Sequence, residues 1–504
     1  MSQEIDRRYF LGSAAAAGSL AWGPSWSFGQ QKGKNAANSS YSLPSALSAF
    51  NSLSVVLGRA NDTSVTANLY AKDKTEAYLE YGTTPGVFDL STKPILLSPG
   101  QAVETALTTL KPGTRYHYRL RHRKPSESAF STRAESQFQT QRKPGSAFTF
   151  CVQGDSHPER PQMSEPNLYA RTLQHAASCK PDLYLCMGDD FSVDKVRTVN
   201  TASLTAPYLL QRPFLSLIAQ SASLYLVNGN HEQASLFNYQ QKNELHELAV
   251  GVQTARNSLF PMPATEGIYS GDTQEFKGIG FLRDYYAWTW GDALFVVLDN
   301  YWHSPALVDT GFKGGNGGGK KADDKKNRDW WDLTIGNEQY HWLRKTLEGS
   351  KAKFKFVFAH HVLGSGRGGV EGSDFCEWGG KPKNKGVSGD FRKKRPGWEL
   401  PIHQLMVKHG VSIFFQGHDH LYARQERDGV IYQEVPLPAD PGYSTYNEDA
   451  YTTGTKRANS GYLRVAVSPE EAKVDYVRCW LPKDESEKQK TGSIAHSYTI
   501  KAKA

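Results

Sequence analysis

The sequence predicts a two-domain fold, a small all-β sandwich followed by a larger α/β domain. Three observations carry that prediction. Residues 51–142 alternate apolar and polar side chains in short runs with no helical period. Residues 146–482 set buried-type strands against helical stretches, and a Lys143-Pro144-Gly145 hinge separates the two rhythms. At 504 residues the chain is also too long for one compact core. Its 11 Trp, 25 Tyr and 23 Phe exclude wholesale disorder, because they supply ample apolar surface to bury. No apolar run reaches about 18 residues, which excludes a helical membrane protein.

The elements follow in order. Residues 1–30 contain Arg7-Arg8, then Phe10-Leu11 and a short stretch rich in Ala and Gly, too short to span a bilayer. This resembles a twin-arginine (Tat) signal, which implies the Tat machinery as a partner, export in the folded state and a periplasmic or secreted location. No membrane span is expected once it is removed. Residues 31–50, rich in Gln, Asn, Ser and Lys, read as a linker. Strands are expected at 64–70, 76–81, 103–110 and 115–121, with turns at Thr84-Pro85-Gly86 and Lys111-Pro112-Gly113. In the second domain strands are expected at 148–153, 182–187, 224–227, 293–299, 354–359 and 411–416. Helices are expected near 166–178, 207–220, 233–250, 337–348 and 400–409. Past 420 only β segments follow, near 461–467 and 472–480, with an Asp428-Gly429 hairpin turn. Residues 483–504 read as a C-terminal tail. Two insertions stand out: 313–329, rich in Gly, Lys and Asp, and 381–395, with seven basic residues against Asp390.

The net charge of +8 suits anionic ligands over so long a chain but does not indicate nucleic acid. Five scattered cysteines are too few for a disulfide scaffold or a structural zinc site. Cys151 and Cys186 read as buried, inert thiols on neighbouring strands.

Chemistry concentrates in five short motifs, most of them at strand ends: Gly154-Asp155-Ser156-His157, Gly188-Asp189-Asp190, Gly229-Asn230-His231-Glu232, His360-His361 and Gly417-His418-Asp419-His420. Only 15 histidines occur in 504 residues, and six fall inside these motifs, so the clustering speaks for ligation. The ends of strands in an open α/β sheet are where distant segments converge, and the glycines allow sharp turns there. Hard oxygens mixed with imidazoles and no thiolate suit Mn, Fe or Zn, with Ca as the oxygen-seeking alternative. Two divalent ions outweigh two carboxylates. Even with a bridging hydroxide a net charge of about +1 remains, which attracts a phosphate-like oxyanion. One carboxylate must bridge to hold two metals about 3.5–4 Å apart, the spacing of two-metal hydrolysis. His231 is then the spare imidazole for the leaving group.

In order and spacing these motifs resemble the calcineurin-like metallophosphoesterase superfamily over about residues 146–480. The resemblance implies a four-layer αββα sandwich, two metal ions and hydrolysis of a small phosphate ester by in-line attack of metal-bridging hydroxide. Carried over by position, Asp155, His157 and His420 bind the first metal and Asp189 bridges. Asn230, His360 and His418 bind the second, while Asn230 and His231 contact the substrate phosphate. His360 rather than His361 is implied because the family uses the first histidine after the strand. The Leu110–Arg119 stretch resembles the fibronectin-type-III-like module that precedes some exported phosphatases, which places the chain nearest the purple acid phosphatase branch. One departure is Ser192, where that branch has the tyrosine of GDxxY and other members an aspartate. The resemblance then implies no purple chromophore. Asp190 is either an extra carboxylate near the metals or a loop cap. Arg367 is a candidate bidentate clamp on the substrate anion, and Asp299 reads as a loop organiser. Monoester and diester both remain open. The alternatives are hydrolysis of another oxyanion ester such as a sulfate, or a non-catalytic secreted binding protein.

Overall fold

The computed structural model describes residues 43–308, 329–364, 366–383 and 390–503. The twin-arginine segment, the linker up to residue 42, nearly all of the 313–329 insertion and the middle of 381–395 lie outside the described residues.

Two antiparallel sheets make up the first part of the described chain. One joins Leu53–Gly58, Val65–Ala71 and Ala102–Leu107; the other is built on Thr75–Gly82 and Arg115–Arg123. Alternation places Val56, Leu69, Leu79 and Leu120 inside. The end of the expected linker is structured, which corrects that reading. Ser45–Leu47 and Ser48–Ser52 are helical turns, held because Leu47 is buried.

The second part is two mixed sheets packed face to face. The first runs in the order Ser223–Leu226, Leu183–Cys186, Phe148–Gln153, Gly461–Val467, Glu471–Arg478, Ile494–Lys501, with its first three strands parallel. The second places Tyr286–Trp290, Ala293–Val297, Phe354–Phe358, Ile413–Gln416, Val430–Glu434 and Tyr422–Arg427 side by side between two short edge strands. Phenylalanines join the sheets: the ring of Phe150 lies 5.0 Å from that of Phe295, 5.3 Å from Phe356 and 6.3 Å from Phe415. Burying each such ring contributes about 1.5–3 kcal/mol. Helices cover the outer faces. On the second sheet Leu343 and Leu347 of Asn337–Gly349 and Ile402 and Leu405 of Ile402–Lys408 share a core with Val357 and Phe414.

Several boundaries differ from the expectation, each for a local reason. The helix expected from Pro207 begins at Thr201, because Asn200 and Ser203 cap each other reciprocally and override the usual place of proline in a first turn. The stretch near 233–250 is two helices, Leu236–Tyr239 and Glu244–Leu259, the second capped by Asn243. The expected tail contains the strand Ile494–Lys501, which pairs with Glu471–Arg478. As an edge strand it buries little, so its polar alternation masks it in the sequence. The Asp428-Gly429 turn is present, both residues having positive φ. All five cysteines are free, and burial pushes the Cys151 and Cys186 thiols up.

Two polar clusters lock the sandwich to the α/β part. Arg212 is buried on the helix Thr201–Ala219 and donates to Ser54 Oγ at 2.7 Å, to the Asn68 carbonyl at 2.8 Å and to the Leu259 carbonyl. Buried Asp182 accepts from Arg115 at 3.0 Å, Arg142 at 2.7 Å and the Trp290 indole at 3.2 Å.

Candidate metal centre

The motif residues converge because five parallel strands, three from one sheet and two from the other, end at the same rim. Asp155 and His157 follow Phe148–Gln153, Asp189 follows Leu183–Cys186, and Asn230 and His231 follow Ser223–Leu226. From the facing sheet His360 follows Phe354–Phe358, and His418 and His420 follow Ile413–Gln416. The backbone turns hard there: His157, Asp189, His418 and His420 all have positive φ, a region that non-glycine residues enter at a cost. Glycine serves close approach at two points. A Cβ on Gly417 would overlap Asp155 Oδ1, and one on Gly188 would stand 2.8 Å from His360 Nδ1.

Two overlapping sets of donors result. In the first, His420 Nε2 lies 3.0 Å from Asp155 Oδ2 and 3.1 Å from His157 Nε2. In the second, His360 Nε2 lies 3.2 Å from Asp189 Oδ2 and 3.0 Å from Asn230 Oδ1, and His418 Nδ1 lies 3.1 Å from that same amide oxygen. Asp189 Oδ2 stands between them, 3.6 Å from His157 Nε2 and 3.8 Å from His231 Nε2. This oxygen is buried and accepts no hydrogen bond, while Oδ1 takes the His231 backbone N–H at 2.8 Å. An orphaned carboxylate oxygen ringed by imidazoles is what a cation site demands. All seven residues expected as ligands therefore come together, and the mixed oxygen and imidazole donors fit divalent metal ions. His361 turns aside, its Nδ1 3.1 Å from the Val362 carbonyl oxygen.

Burial and the hydrogen bonds set the charges around the donors. Burial pushes His420 down to about 4 and holds His418 well below its ordinary value, so both imidazoles are neutral. Asp189 stays ionised against its burial, held far down by His360 and His231. Asp190 faces away, accepting from Gln153 Nε2 and Ser156 Oγ at 2.7 Å each, and burial raises its carboxyl well above the usual range. Of the two readings of Asp190, the geometry is that of a loop anchor. Glu232 ties two motif loops together by accepting the backbone N–H groups of Asp189, Phe191 and Gly229 at 2.7–3.0 Å. Asp299 organises its loop as expected, accepting from Tyr301 and Trp302 N–H and from Asn228.

Two residues at the site were missed in the sequence. Asp194 Oδ2 contacts His231 Nδ1, and Arg160 Nη2 lies 2.9 Å from His231 Nε2 and 3.5 Å from Asp194. Burial lowers His231, but Asp189 and Asp194 outweigh it and Arg160, and the imidazole rises to about 9. The signal for Asp194 was its place two residues past Ser192, the position at which the chain departs from the family pattern it resembles. The signal for Arg160 was a cation three residues after His157. Arg367 lies at the rim, but its guanidinium pairs with Asp419 at 3.0 Å and donates to the His418 carbonyl, bracing the loop of the last motif. Among the described residues of the basic segment 381–395, Lys381 pairs with Asp374, Lys394 with Asp329 and Arg395 with buried Glu377, while Lys383 lies over the Trp330 ring.

Comparison with known proteins gives the family and the fold. Residues 148–422 match the calcineurin-like phosphoesterase family. Among solved structures, PhoD superposes with a TM-score of 0.60 at 15% identity, covering 92% of this chain and 91% of that one. GAP50, described as the anchor in the inner membrane complex of Plasmodium, gives a TM-score of 0.35 at 11% identity, covering 71% of this chain and 90% of that one. The phosphopantetheinyl hydrolase PptH from Mycobacterium tuberculosis gives 0.26 at 14% identity, covering 58% and 91%. No curated protein sequence matches the chain.

Proposed function

The chain belongs to the calcineurin-like phosphoesterase family and is a metal-dependent phosphoesterase; from that premise we propose that it is an exported enzyme working with two metal ions on a small phosphate ester. One observation carries the dinuclear reading. Asp189 Oδ2 is a buried oxygen without a hydrogen-bond donor, and Asp189 groups with His157 and His231 on one side and with His360 and His418 on the other. Asp155, His157 and His420 would hold one ion and Asn230, His360 and His418 the other, with Asp189 shared. Mn, Fe or Zn suits this donor set, with Ca as the weaker match for so many imidazoles. When bound, the ions supply Lewis acidity and an activated water for attack on phosphorus.

The chain's own residues do the rest. His231, its basicity raised by Asp189 and Asp194, would give a proton to the leaving alkoxide once Arg160, 2.9 Å from its Nε2, turns to the phosphate. Arg160 beside it supplies a further positive charge for a phosphate dianion. Asn230, next to His231 in the chain, would contact the phosphate through its amide. Arg367 contributes to substrate binding by fixing the His418 loop at the rim. The fibronectin-type-III-like reading of the sandwich rests on Leu110–Arg119, and export rests on Arg7-Arg8. Among the described residues no helix is long and apolar enough to cross a membrane.

The test is turnover of an aryl phosphate monoester, the matching diester and an aryl sulfate by protein stripped of metal and reloaded with Mn, Fe, Zn or Ca. Restored phosphate hydrolysis with two equivalents of ion per chain, both turnover and metal falling in Asp189→Asn, is the expected result. One equivalent at full activity would overturn the dinuclear reading.

A further inference from the structure

We infer that Asp272, Asp284 and His303 form a binding site for a divalent transition-metal cation of the zinc or manganese class, apart from the centre described above. The three residues come from different loops at the edge of the eight-stranded sheet. Asp272 follows the strand Ser270–Gly271, Asp284 precedes Tyr286–Trp290, and His303 lies beyond Ala293–Val297. Their donor atoms all lie within 4.8 Å of one another.

The argument rests on oxygens left without donors. Asp284 is fully buried and Asp272 is 4% exposed. Asp272 Oδ1 takes the Gln274 N–H at 2.9 Å, but Asp272 Oδ2 and Asp284 Oδ1 are buried with no hydrogen-bond partner. His303 Nε2 lies 2.9 Å from Asp284 Oδ2 and 4.0 Å from Asp272 Oδ2, and among the described residues it is the ion-pair partner of both. A third buried carboxylate, Asp299, stands close enough to raise the basicity of His303, yet its own oxygens are taken by Tyr301, Trp302 and Asn228. Burial and the neighbouring Asp284 raise Asp272 to about 7, so this pair needs either a shared proton or a cation between its oxygens. Donors about 2.1 Å from a tetrahedral ion stand about 3.4 Å apart. The observed 2.9 and 4.0 Å straddle that value, so small rotations complete the site. Two carboxylates and an imidazole match zinc or manganese, and the imidazole argues against calcium or magnesium.

The position assigns a structural role. The segment between Asp272 and Asp284 is a short hairpin, Glu275–Phe276 paired with Gly280–Phe281, and an ion at its base would clamp both ends to the loop of His303. That loop begins at Asp299, whose carboxylate holds Asn228, two residues before Asn230.

The experiment is metal counting on the intact protein dialysed against dilute zinc. Asp272→Asn should bind one equivalent fewer than wild type and melt at a lower temperature in zinc but at the same temperature in chelator. Asp189→Asn should keep this equivalent, so the difference reads correctly whatever the main centre holds. Equal metal content in wild type and Asp272→Asn overturns the inference. Should Asp272→Asn fail to fold, anomalous scattering from zinc-soaked wild-type crystals decides: a peak bounded by the three side chains sustains the site, and no peak there overturns it.

Discussion

Replacing Asp194 with asparagine isolates the device that keeps His231 protonated. The imidazole rises from 6.5 to about 9, although burial and Arg160 both oppose it. A rise of that size corresponds to roughly 3 kcal/mol of preference for the protonated form. It is shared between Asp189 and Asp194, but cations on Asp189 would neutralise much of that carboxylate's pull. Asp194 then carries most of the effect, and without it Arg160 acts on His231 unopposed. The sign is fixed: a general acid is lost as pH rises through its pKa, so the basic limb of kcat should move down in the variant. The loss of protonated imidazole is therefore larger at pH 8 than at pH 6. The assay is the pH profile of kcat under metal saturation at every pH. It should use an aryl and an alkyl phosphate, because the alkyl leaving group depends more on a proton. An unmoved limb in Asp194→Asn, or an equal loss at pH 6 and 8, would refute the assignment of His231 as the acid.

Two further outcomes follow from the same structure. Arg212→Met should destabilise the protein by about 2 kcal/mol in urea unfolding, because it leaves the Asn68 and Leu259 carbonyls unpaired while relieving an arginine that burial pushes down to about 9. No loss would mean that the cation costs as much as its bonds return. Replacing Arg7 and Arg8 by lysines should hold the enzyme in the cytoplasm, still folded and active there; unchanged export by fractionation would remove the twin-arginine reading.

The clustering of the seven motif residues was legible because ligand chemistry admits few residue types and the fold puts them at strand ends, where glycine marks the turn. His360 is an instance: an apolar run from Phe354, then two histidines, and the first one reaches Asp189. Asp194 and Arg160 were not legible, because neither belongs to a motif and they meet His231 from two separate loops. Ser192 drew attention to the right loop, but only the fold shows the carboxylate two residues further on reaching His231. Pro207 misled because its local preference for a helix start yields to the reciprocal cap at Asn200 and Ser203. The Asp272, Asp284 and His303 cluster is spread over 32 residues of loop and short strand, so no spacing announces it.

The helix Thr201–Ala219 shows why the sandwich is more than an appendage. Consecutive residues on it face opposite ways. Gln211 Nε2 donates to Ser156 Oγ at 2.6 Å and to the Asp190 carbonyl at 2.8 Å, holding the loops of the first two motifs. Arg212 reaches the other way, into Ser54 and Asn68 of the sandwich. Both side chains are fully buried, so neither has water to fall back on. Removing the sandwich would strip Arg212 of two of its three anchors and expose to water the face of the helix that packs on Leu53–Gly58. The loop that carries Asp155 and His157 would then hang on a helix without its backing. The strained backbone at His157 and Asp189 persists only where its surroundings over-determine it, and through Gln211 and Arg212 those surroundings extend into the first domain.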